Sequence, residues 1–308
     1  MRPGVLLTRK IPSSVVTRLE ASCDVERFEG SGTMSRGELL ARIRGKQALM
    51  AVLTDAIDRE VIDTGSTLRV IANIAVGYNN IDVAAARERG IVVTNTPDVL
   101  TGATADLTWA LILGITRRLG EGERLVRRGE WSGWAFDQLL GMELRGRQLG
   151  VIGFGRIGRA VADRAAAFGM HVVHTGRDAD AMPLDRLLST SDVVSIHVPL
   201  RGDTTHLIDQ AALARMKRSA YLVNTARGPV VDEAALVWAL KNRIIAGAAL
   251  DVYEREPEVH EGLLAFENVI LAPHLGSATT ETRTAMADLA ASNVLAVLAG
   301  MPPPTPVP

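Results

Sequence analysis

The hexapeptide Gly153-Phe154-Gly155-Arg156-Ile157-Gly158 stands at mid-chain, between an apolar run at 149–152 and a helical pattern that continues to Phe168 and stops at Gly169. In a strand–turn–helix context the first glycine permits a tight turn, the second lets backbone approach a pyrophosphate, and the third lets the helix pack on its strand. Helix N-terminal amides favour the phosphate charge. The stretch also suits a tight turn without ligand, but its context favours a dinucleotide-binding domain, with every residue except Phe154 predicted to contact the cofactor.

Short apolar, β-branched runs alternate with helical patterns on both sides of this turn. They lie at 5–8, 48–54, 68–75 and 91–94, and again at 148–152, 170–175, 192–198, 220–224, 246–252 and 269–272. This alternation is typical of parallel sheets covered by helices. The sequence therefore predicts an α/β protein with two doubly wound parallel-sheet domains.

Two long helical segments, 104–128 and 279–300, lie between the two series and after the second. Because the glycine-rich turn opens the second series, another domain must precede it. We expect residues 1–98 and 283–308 to form a substrate domain, with the C-terminal helix returning to it, and 99–282 to form an inserted cofactor domain.

Composition narrows the class of protein. With 308 residues and 47% hydrophobic side chains, the chain can bury a large core, and its length suggests two domains. A net charge of -1 and scattered basic residues favour neither a nucleic acid nor a membrane partner. Cys23 is the only cysteine, which predicts a metal-free site in a reducing cytoplasm, and no apolar run is long enough for a signal peptide or a membrane span. The proline-rich end at 302–308 is expected to be a loose terminus.

Cofactor choice depends on the end of the strand that follows the glycine-rich turn. An NAD-specific domain places an acidic residue there, about 20 residues on, to bond the ribose hydroxyls. This chain has Thr175-Gly176-Arg177 instead. A guanidinium would pair with a 2′-phosphate and a carboxylate would repel it, so Gly176 and Arg177 favour NADP(H), with NAD(H) possible. In the alternative, Arg177 is a solvated loop charge and Asp178 reads the ribose.

Three polar residues follow consecutive strands of the second series, where ligands bind in open parallel sheets: Arg227, Glu256 and His274. The arginine can grip a substrate carboxylate through two parallel hydrogen bonds. The histidine can protonate a carbonyl oxygen as hydride arrives, and the glutamate can hold the ring and stabilise its positive charge. Singly they could be a surface arginine, a solvated acid and a capped histidine. Together they predict a catalytic site for carbonyl reduction.

At these residues the sequence resembles the D-isomer-specific 2-hydroxyacid dehydrogenase family, over nearly the whole chain. The motifs that carry the resemblance are 153–158, His197-Val198-Pro199-Leu200 with Thr204, 224–232, 249–257 and 273–279. The resemblance implies a Rossmann cofactor domain inserted in a flavodoxin-like substrate domain. It also implies that Arg227, Glu256 and His274 are the catalytic set.

Further contacts are implied by the same resemblance. Asp251 would bind the nicotinamide carboxamide, and the backbone amides of Val76 and Gly77 would bind the substrate carboxylate. The remaining cofactor contacts would be Thr104, Val198, Pro199, Thr204, Thr225, Ala226 and Gly276. The family also implies a homodimer built around the segment after Thr104, where Leu107, Leu111, Ile112 and Ile115 form an apolar stripe.

Within the family, Thr175-Gly176-Arg177 and the stretch at 129–134 resemble the glyoxylate/hydroxypyruvate reductase branch. In that branch Trp134 would reach the partner subunit's active site and limit substrate size; alternatively, Trp131 and Trp134 are interface anchors. We therefore expect reduction of glyoxylate or hydroxypyruvate to the D-2-hydroxy acid. The rivals are phosphoglycerate, lactate, formate and phosphite dehydrogenases, or a non-catalytic, NAD(H)-sensing protein resembling a corepressor.

Overall fold

A computed structural model describes residues 2–30 and 32–308. The chain forms two compact units: residues up to Leu100 together with Thr279–Pro308, and Thr101–Ala278. The second unit therefore interrupts the first along the chain. The predicted assignment of 1–98 with 283–308 to the substrate and of 99–282 to the cofactor stays a prediction.

The first unit is built on one parallel sheet. Its elements before the interruption are β1 (Gly4–Leu7), α1 (Ser13–Glu20), β2 (Asp24–Arg27), α2 (Arg36–Arg42), β3 (Ala48–Ala51), α3 (Arg59–Thr64), β4 (Val70–Asn73), α4 (Val83–Glu88) and β5 (Val92–Thr94). The strand order is β2-β1-β3-β4-β5, which is the flavodoxin-like order. Alternate residues of each central strand enter two separate apolar clusters, because helices cover both faces of the sheet.

Strand β2 is an element that the hydrophobic pattern does not predict. Its sequence, Asp-Val-Glu-Arg, has one apolar residue, and its side chains are exposed or half-buried. It lies at the edge of the sheet and pairs with β1 in register, Val5 opposite Val25. A parallel edge strand is stabilised by these backbone bonds, so burial leaves little trace in its sequence.

The second unit contains a six-stranded parallel sheet. Its elements are α5 (Thr101–Thr116), α6 (Leu119–Arg127), β6 (Gln148–Ile152), α7 (Arg156–Ala165), β7 (His171–Thr175), α8 (Leu184–Thr190), β8 (Val193–Ile196), α9 (Gln210–Arg215), β9 (Tyr221–Asn224), α10 (Glu233–Lys241), β10 (Gly247–Leu250), α11 (Glu261–Leu264) and β11 (Val269–Leu271). The order is β11-β10-β9-β8-β6-β7. The strand order reverses between β6 and β8, and β7 lies at the edge.

The helical segment predicted at 104–128 is two helices. Helix α5 ends at Thr116, Arg118 adopts a left-handed conformation with φ of 53°, and α6 starts at Leu119. A non-glycine residue in this region ends the helix, so the prediction of one continuous helix is wrong.

The last helix, α12 (Thr280–Leu298), belongs to the first unit, where it packs against β3, β4 and β5. The chain end beyond it is held in place, contrary to the expectation of a loose terminus. The Val307 N–H donates to the Val93 carbonyl at 2.8 Å, and the Thr305 hydroxyl donates to the Asn95 carbonyl at 2.6 Å. These bonds cover the exposed edge of β5. Within residues 2–30 and 32–308, no helix has the length and apolar character needed to cross a membrane.

Candidate active site

The glycine-rich turn has the geometry of a phosphate cradle. Gly153 has a φ of 93°, and a Cβ there would lie 2.8 Å from the backbone carbonyl carbon of His197. A Cβ on Gly158 would collide with the Gly153 carbonyl oxygen, so the third glycine lets α7 pack against the turn. Above Gly155 a Cβ would meet no atom within 4 Å. The open space lies at the N-terminus of the ten-residue helix α7, an arrangement that fits a pyrophosphate.

The loop after β8 lies against this turn. It contains His197, Val198 and Pro199, and the Thr204 hydroxyl closes it by donating to the Pro199 carbonyl at 2.7 Å. His197 is half-buried, and desolvation of its ring lowers the pKa to about 3, so the imidazole is neutral. The Ser195 hydroxyl is 2.8 Å from its Nε2.

Two other residues of the motif lie in α7. Arg156 begins the helix, and Ile157 packs against the core formed with α5. The loops after β6 and β8, which carry most of these predicted contacts, touch at Gly153 and Val198, where the strand order reverses.

The predicted ribose-reading residues follow the edge strand β7. Gly176 does not need a positive φ, and a Cβ there would meet only Phe154, at 3.7 Å. Arg177 is exposed, and its side chain has no ion pair or hydrogen bond within the described parts of the chain. Asp178, the alternative reader, forms an ion pair with Arg159 at 2.6 Å.

A second group of predicted cofactor residues is brought together near α5. The Thr108 hydroxyl donates to the Thr104 carbonyl at 2.8 Å and is 2.9 Å from the Thr225 hydroxyl. A Cβ on Gly276 would lie 3.5 Å from Thr104. Beyond Thr225, the Ala226 N–H donates to the Asn224 side chain at 3.0 Å, which shapes the loop that carries Arg227.

The glutamate and the histidine of the predicted catalytic set are in direct contact. Glu256 Oε2 lies 2.8 Å from His274 Nδ1, and Glu256 Oε1 accepts the Tyr253 N–H at 3.1 Å. Both carboxylate oxygens are thus engaged, and the ring is oriented through Nδ1. His274 has a φ of 55°, in the left-handed region that non-glycine residues adopt infrequently.

The surroundings of Glu256 favour its ionised form. Burial alone would raise the pKa of Glu256, but the hydrogen bond and charge of His274, together with the Tyr253 N–H and the charge of Arg227, lower it below its ordinary value. Arg227 is enclosed, and burial lowers the pKa of its guanidinium while the charge of Glu256 opposes that shift. The Arg227 Nη1 donates to the Ala226 carbonyl at 2.6 Å. The three side chains form one electrostatically coupled cluster.

Asp251 anchors the loop that carries His274. Its carboxylate is buried, with Oδ1 accepting the Leu275 N–H at 2.6 Å and Oδ2 accepting the Gly276 N–H at 2.8 Å. Burial raises the pKa of this carboxyl, and the two N–H bonds oppose the shift. The structure thus gives Asp251 a second task besides the nicotinamide contact that the sequence predicts.

A pair of glutamates that sequence reasoning missed ties the neighbouring loops together. The Glu233 N–H donates to Glu254 Oε1 at 2.7 Å, and the Glu254 N–H donates to Glu233 Oε1 at 2.9 Å. Burial raises the pKa of Glu233. Close packing joins the same loops, since a Cβ on Gly228 would collide with the Tyr253 backbone. A polar residue two positions before Glu256 carries no distinct signal in the sequence.

The predicted substrate amides lie in the first unit, in the loop after β4. The Val76 carbonyl accepts from the Asn95 side chain at 2.7 Å, and the Gly77 carbonyl accepts from the Asn73 side chain at 2.8 Å. These bonds hold the loop by its carbonyls. The N–H groups of Val76 and Gly77 have no hydrogen-bond acceptor among residues 2–30 and 32–308.

The apolar stripe of α5 faces the core of the second unit. Leu111, Ile112 and Ile115 are buried in the core of the second unit, and Leu107 packs against that core. The use of these residues as a dimer contact is therefore wrong. The large apolar side chains that are exposed in this part of the chain come after α5: Leu119, Val126, Trp131, Trp134, Phe136 and Leu140. Trp134 is 81% exposed.

Comparisons with known proteins identify the family of this chain. Residues 109–276 match the model of the D-isomer specific 2-hydroxyacid dehydrogenase family, NAD binding domain. A glyoxylate reductase of Thermococcus onnurineus is 47% identical over 99% of this chain and 96% of its own length. The chain belongs to the D-isomer specific 2-hydroxyacid dehydrogenase family, which confirms the resemblance and its glyoxylate reductase branch.

Solved structures show the same fold. A protein from Thermus thermophilus is 47% identical, covers 99% of this chain and 100% of its own, and superposes with a TM-score of 0.94. The NADPH-dependent glyoxylate/hydroxypyruvate reductase of Sinorhizobium meliloti, solved with NADP and malonate, is 37% identical over 100% of this chain and 97% of its own, with a TM-score of 0.88. The predicted fold of two parallel-sheet α/β domains is confirmed.

The anchoring role of Asp251 is testable by replacing it with asparagine. The amide keeps one acceptor but turns its NH₂ toward a backbone N–H, so Asp251→Asn should lower the free energy of unfolding by about 1–3 kcal/mol, the cost of an unpaired buried donor. Denaturant titration measures this, with the exposed Asp203→Asn as the matched control. Equal stability of the two variants would show that the carboxylate is not an anchor.

Proposed function

We propose that the protein reduces small 2-keto acids, glyoxylate and hydroxypyruvate, to the corresponding D-2-hydroxy acids with a nicotinamide cofactor. One observation carries the proposal: the 2.8 Å contact of Glu256 with His274, coupled electrostatically to Arg227. A general acid, its orienting base and a carboxylate-binding cation are the groups that this reduction needs. The names of the relatives support the choice of substrate.

Substrate binding is assigned to Arg227 and to two backbone amides. The guanidinium presents parallel N–H donors that match a carboxylate, and its enclosure strengthens the pairing. We also assign the N–H groups of Val76 and Gly77 to substrate binding, because only their carbonyls are used within the described parts of the protein. Fixing the carboxylate fixes the adjacent keto carbon, which reduces the entropic part of the barrier.

Proton transfer is assigned to His274. Its Nδ1 is held by Glu256, so Nε2 is the atom that donates a proton to the keto oxygen. The low pKa of Glu256 keeps its carboxylate ionised, and this negative charge stabilises the imidazolium from which the proton leaves. Glu256 is therefore an orienting group that keeps its own charge throughout.

The cofactor site is assigned to the glycine-rich turn and the neighbouring loops. Gly153, Gly155 and Gly158 provide the cradle, with Arg156 and Ile157 in the first turn of α7. The other proposed contacts are Thr104, Gly176, Arg177, Val198, Pro199, Thr204, Thr225, Ala226, Asp251 and Gly276. When bound, the reduced nicotinamide supplies the hydride for the keto carbon.

The activity is tested by initial rates with glyoxylate, hydroxypyruvate, pyruvate and 3-phosphohydroxypyruvate. We expect the first two to be the preferred substrates, and His274→Ala to reduce kcat by about 10²–10⁴-fold, the effect of losing a general acid, while cofactor still binds. His260→Ala, at an exposed histidine, is the matched control. A clear preference for another keto acid would contradict the proposed substrates. Normal turnover by His274→Ala would place the proton donor elsewhere.

For cofactor choice we propose a preference for NADPH over NADH. Arg177 is exposed and unpaired within the described residues, so its guanidinium is available to a 2′-phosphate. No carboxylate stands at Gly176 to repel that group. A charge-assisted hydrogen bond of roughly 1.5–3 kcal/mol corresponds to a preference on the order of tenfold to a hundredfold.

Two variants test the preference. Gly176→Asp should reverse it, because the backbone accepts a side chain there and the new carboxylate would bond the ribose hydroxyls of NADH and repel the phosphate of NADPH. Arg177→Ala should weaken NADPH alone. The measurement is the ratio of kcat/KM for the two cofactors with hydroxypyruvate. A wild-type ratio that favours NADH, unaltered in Arg177→Ala, would contradict the assignment.

We also propose a homodimer whose contact surface is the exposed apolar segment at 119–140. Clusters of exposed aromatic and aliphatic side chains are typical of protein interfaces. In this dimer Trp134, the more exposed of the two tryptophans, is assigned to the substrate site of the other subunit. Light scattering at micromolar concentration should give twice the 33.0 kDa chain mass. Trp134→Ala should change KM while the measured mass stays close to that of the dimer. A monomer would remove both assignments.

A further inference from the structure

A stack of side chains connects the glycine-rich turn to the end of strand β7. The ring of Phe154 lies against the ring of His174, with centroids 3.8 Å apart and planes inclined by 15°. The guanidinium of Arg159 lies 4.4 Å from the centroid of the same Phe154 ring. Arg159 is one residue beyond the last glycine of the motif, in the first turns of α7. Its position is thus defined by an aromatic surface.

From this position Arg159 holds the carboxylate of Asp178. The Arg159 Nη2 lies 2.6 Å from Asp178 Oδ2, and the side chains are 54% and 39% exposed. His174 Nε2 lies farther away, 3.8 Å from Asp178 and 3.6 Å from Asp180. The ion pair, rather than the histidine, is therefore the principal contact of Asp178.

The place of Asp178 in the chain gives this pair a consequence for cofactor choice. Asp178 stands two residues after Gly176, in the loop where a carboxylate bonds the ribose hydroxyls of NAD and repels the 2′-phosphate of NADP. The charge of a carboxylate that is paired with a guanidinium is partly offset by that guanidinium, and one of its acceptor oxygens is occupied. The pair therefore suppresses the NADH-favouring group of this loop while Arg177 stays available.

We infer that Arg159 is a positioning residue for cofactor choice: it withdraws Asp178 from the ribose, so that the loop selects a 2′-phosphate. This inference rests on the proposed NADPH preference and names a second determinant of it. Arg159 acts through Asp178 and makes no contact with the cofactor itself.

His174, Asp178 and Asp180 also have the spacing of an incomplete cation site, with their ligand atoms within 4.8 Å of one another. The oxygen of Asp178 that faces His174 is the one that Arg159 occupies. A metal ion would have to displace that guanidinium and bear its repulsion. The geometry therefore favours an ion pair in this loop and not a metal site.

A double-mutant cycle tests the inference through cofactor binding, without turnover. Dissociation constants for NADPH and NADH are measured from cofactor fluorescence for the wild type, Arg159→Gln, Asp178→Asn and the double variant. Arg159→Gln should shift the ratio of the two constants toward NADH on the order of tenfold, because no guanidinium then offsets the charge of Asp178 or occupies its oxygen. The double variant should return to the wild-type ratio, and Arg159→Lys should keep most of it.

The controls separate this role from others. Arg164→Gln removes a comparable ion pair, with Asp106, farther along α7 and should leave the ratio unchanged. A ratio that stays shifted toward NADH in the double variant would mean that Arg159 contacts the phosphate itself. Equal weakening of NADPH and NADH binding would mean a merely structural role. Either result overturns the inference, as does an unchanged ratio in Arg159→Gln. A wild type that prefers NADH would overturn the proposed preference alone, since the shift and its recovery are measured relative to the wild type.

Discussion

The buried carboxylate of Asp251 joins the two loops on which the proposed chemistry depends. It follows β10 directly and accepts the N–H groups of Leu275 and Gly276, immediately after His274. Glu256, in the same loop as Asp251, makes a second link between the two loops by holding the ring of His274. Removing either carboxylate would release the histidine loop at one end, so orientation of the general acid is a property of both loops.

Backbone contact between neighbouring loops is the second constraint on this site. The loops after β6 and β8 approach closely at Gly153, and those after β9 and β10 approach at Gly228, where no side chain fits. The reciprocal bonds of Glu233 and Glu254 reinforce the second contact. Catalytic side chains can be held to within fractions of an ångström only when their supporting loops are packed this tightly. A substitution in one loop is therefore expected to move its neighbour.

The predicted strands agree with the structure wherever the strands are buried. Helices cover both faces of each sheet, so the central strands read as continuous apolar runs that stand out in the sequence. The failures have physical causes too. Strand β2 is polar because it lies at an edge, the break at Arg118 depends on one backbone conformation, and the chain end after α12 is ordered by partners such as Val93, far away along the chain.

The sequence by itself determined the two parallel-sheet domains, the glycine-rich turn and the pairing of an acid with a histidine, because these depend on local spacing and on strand ends that share one edge of a sheet. Tertiary structure decided which charges meet. The pairing of Arg159 with Asp178, the anchoring by Asp251 and the burial of the α5 stripe follow from how helices and loops pack. Spacing predicts which face of an element is apolar, but only the packed structure specifies what that face covers.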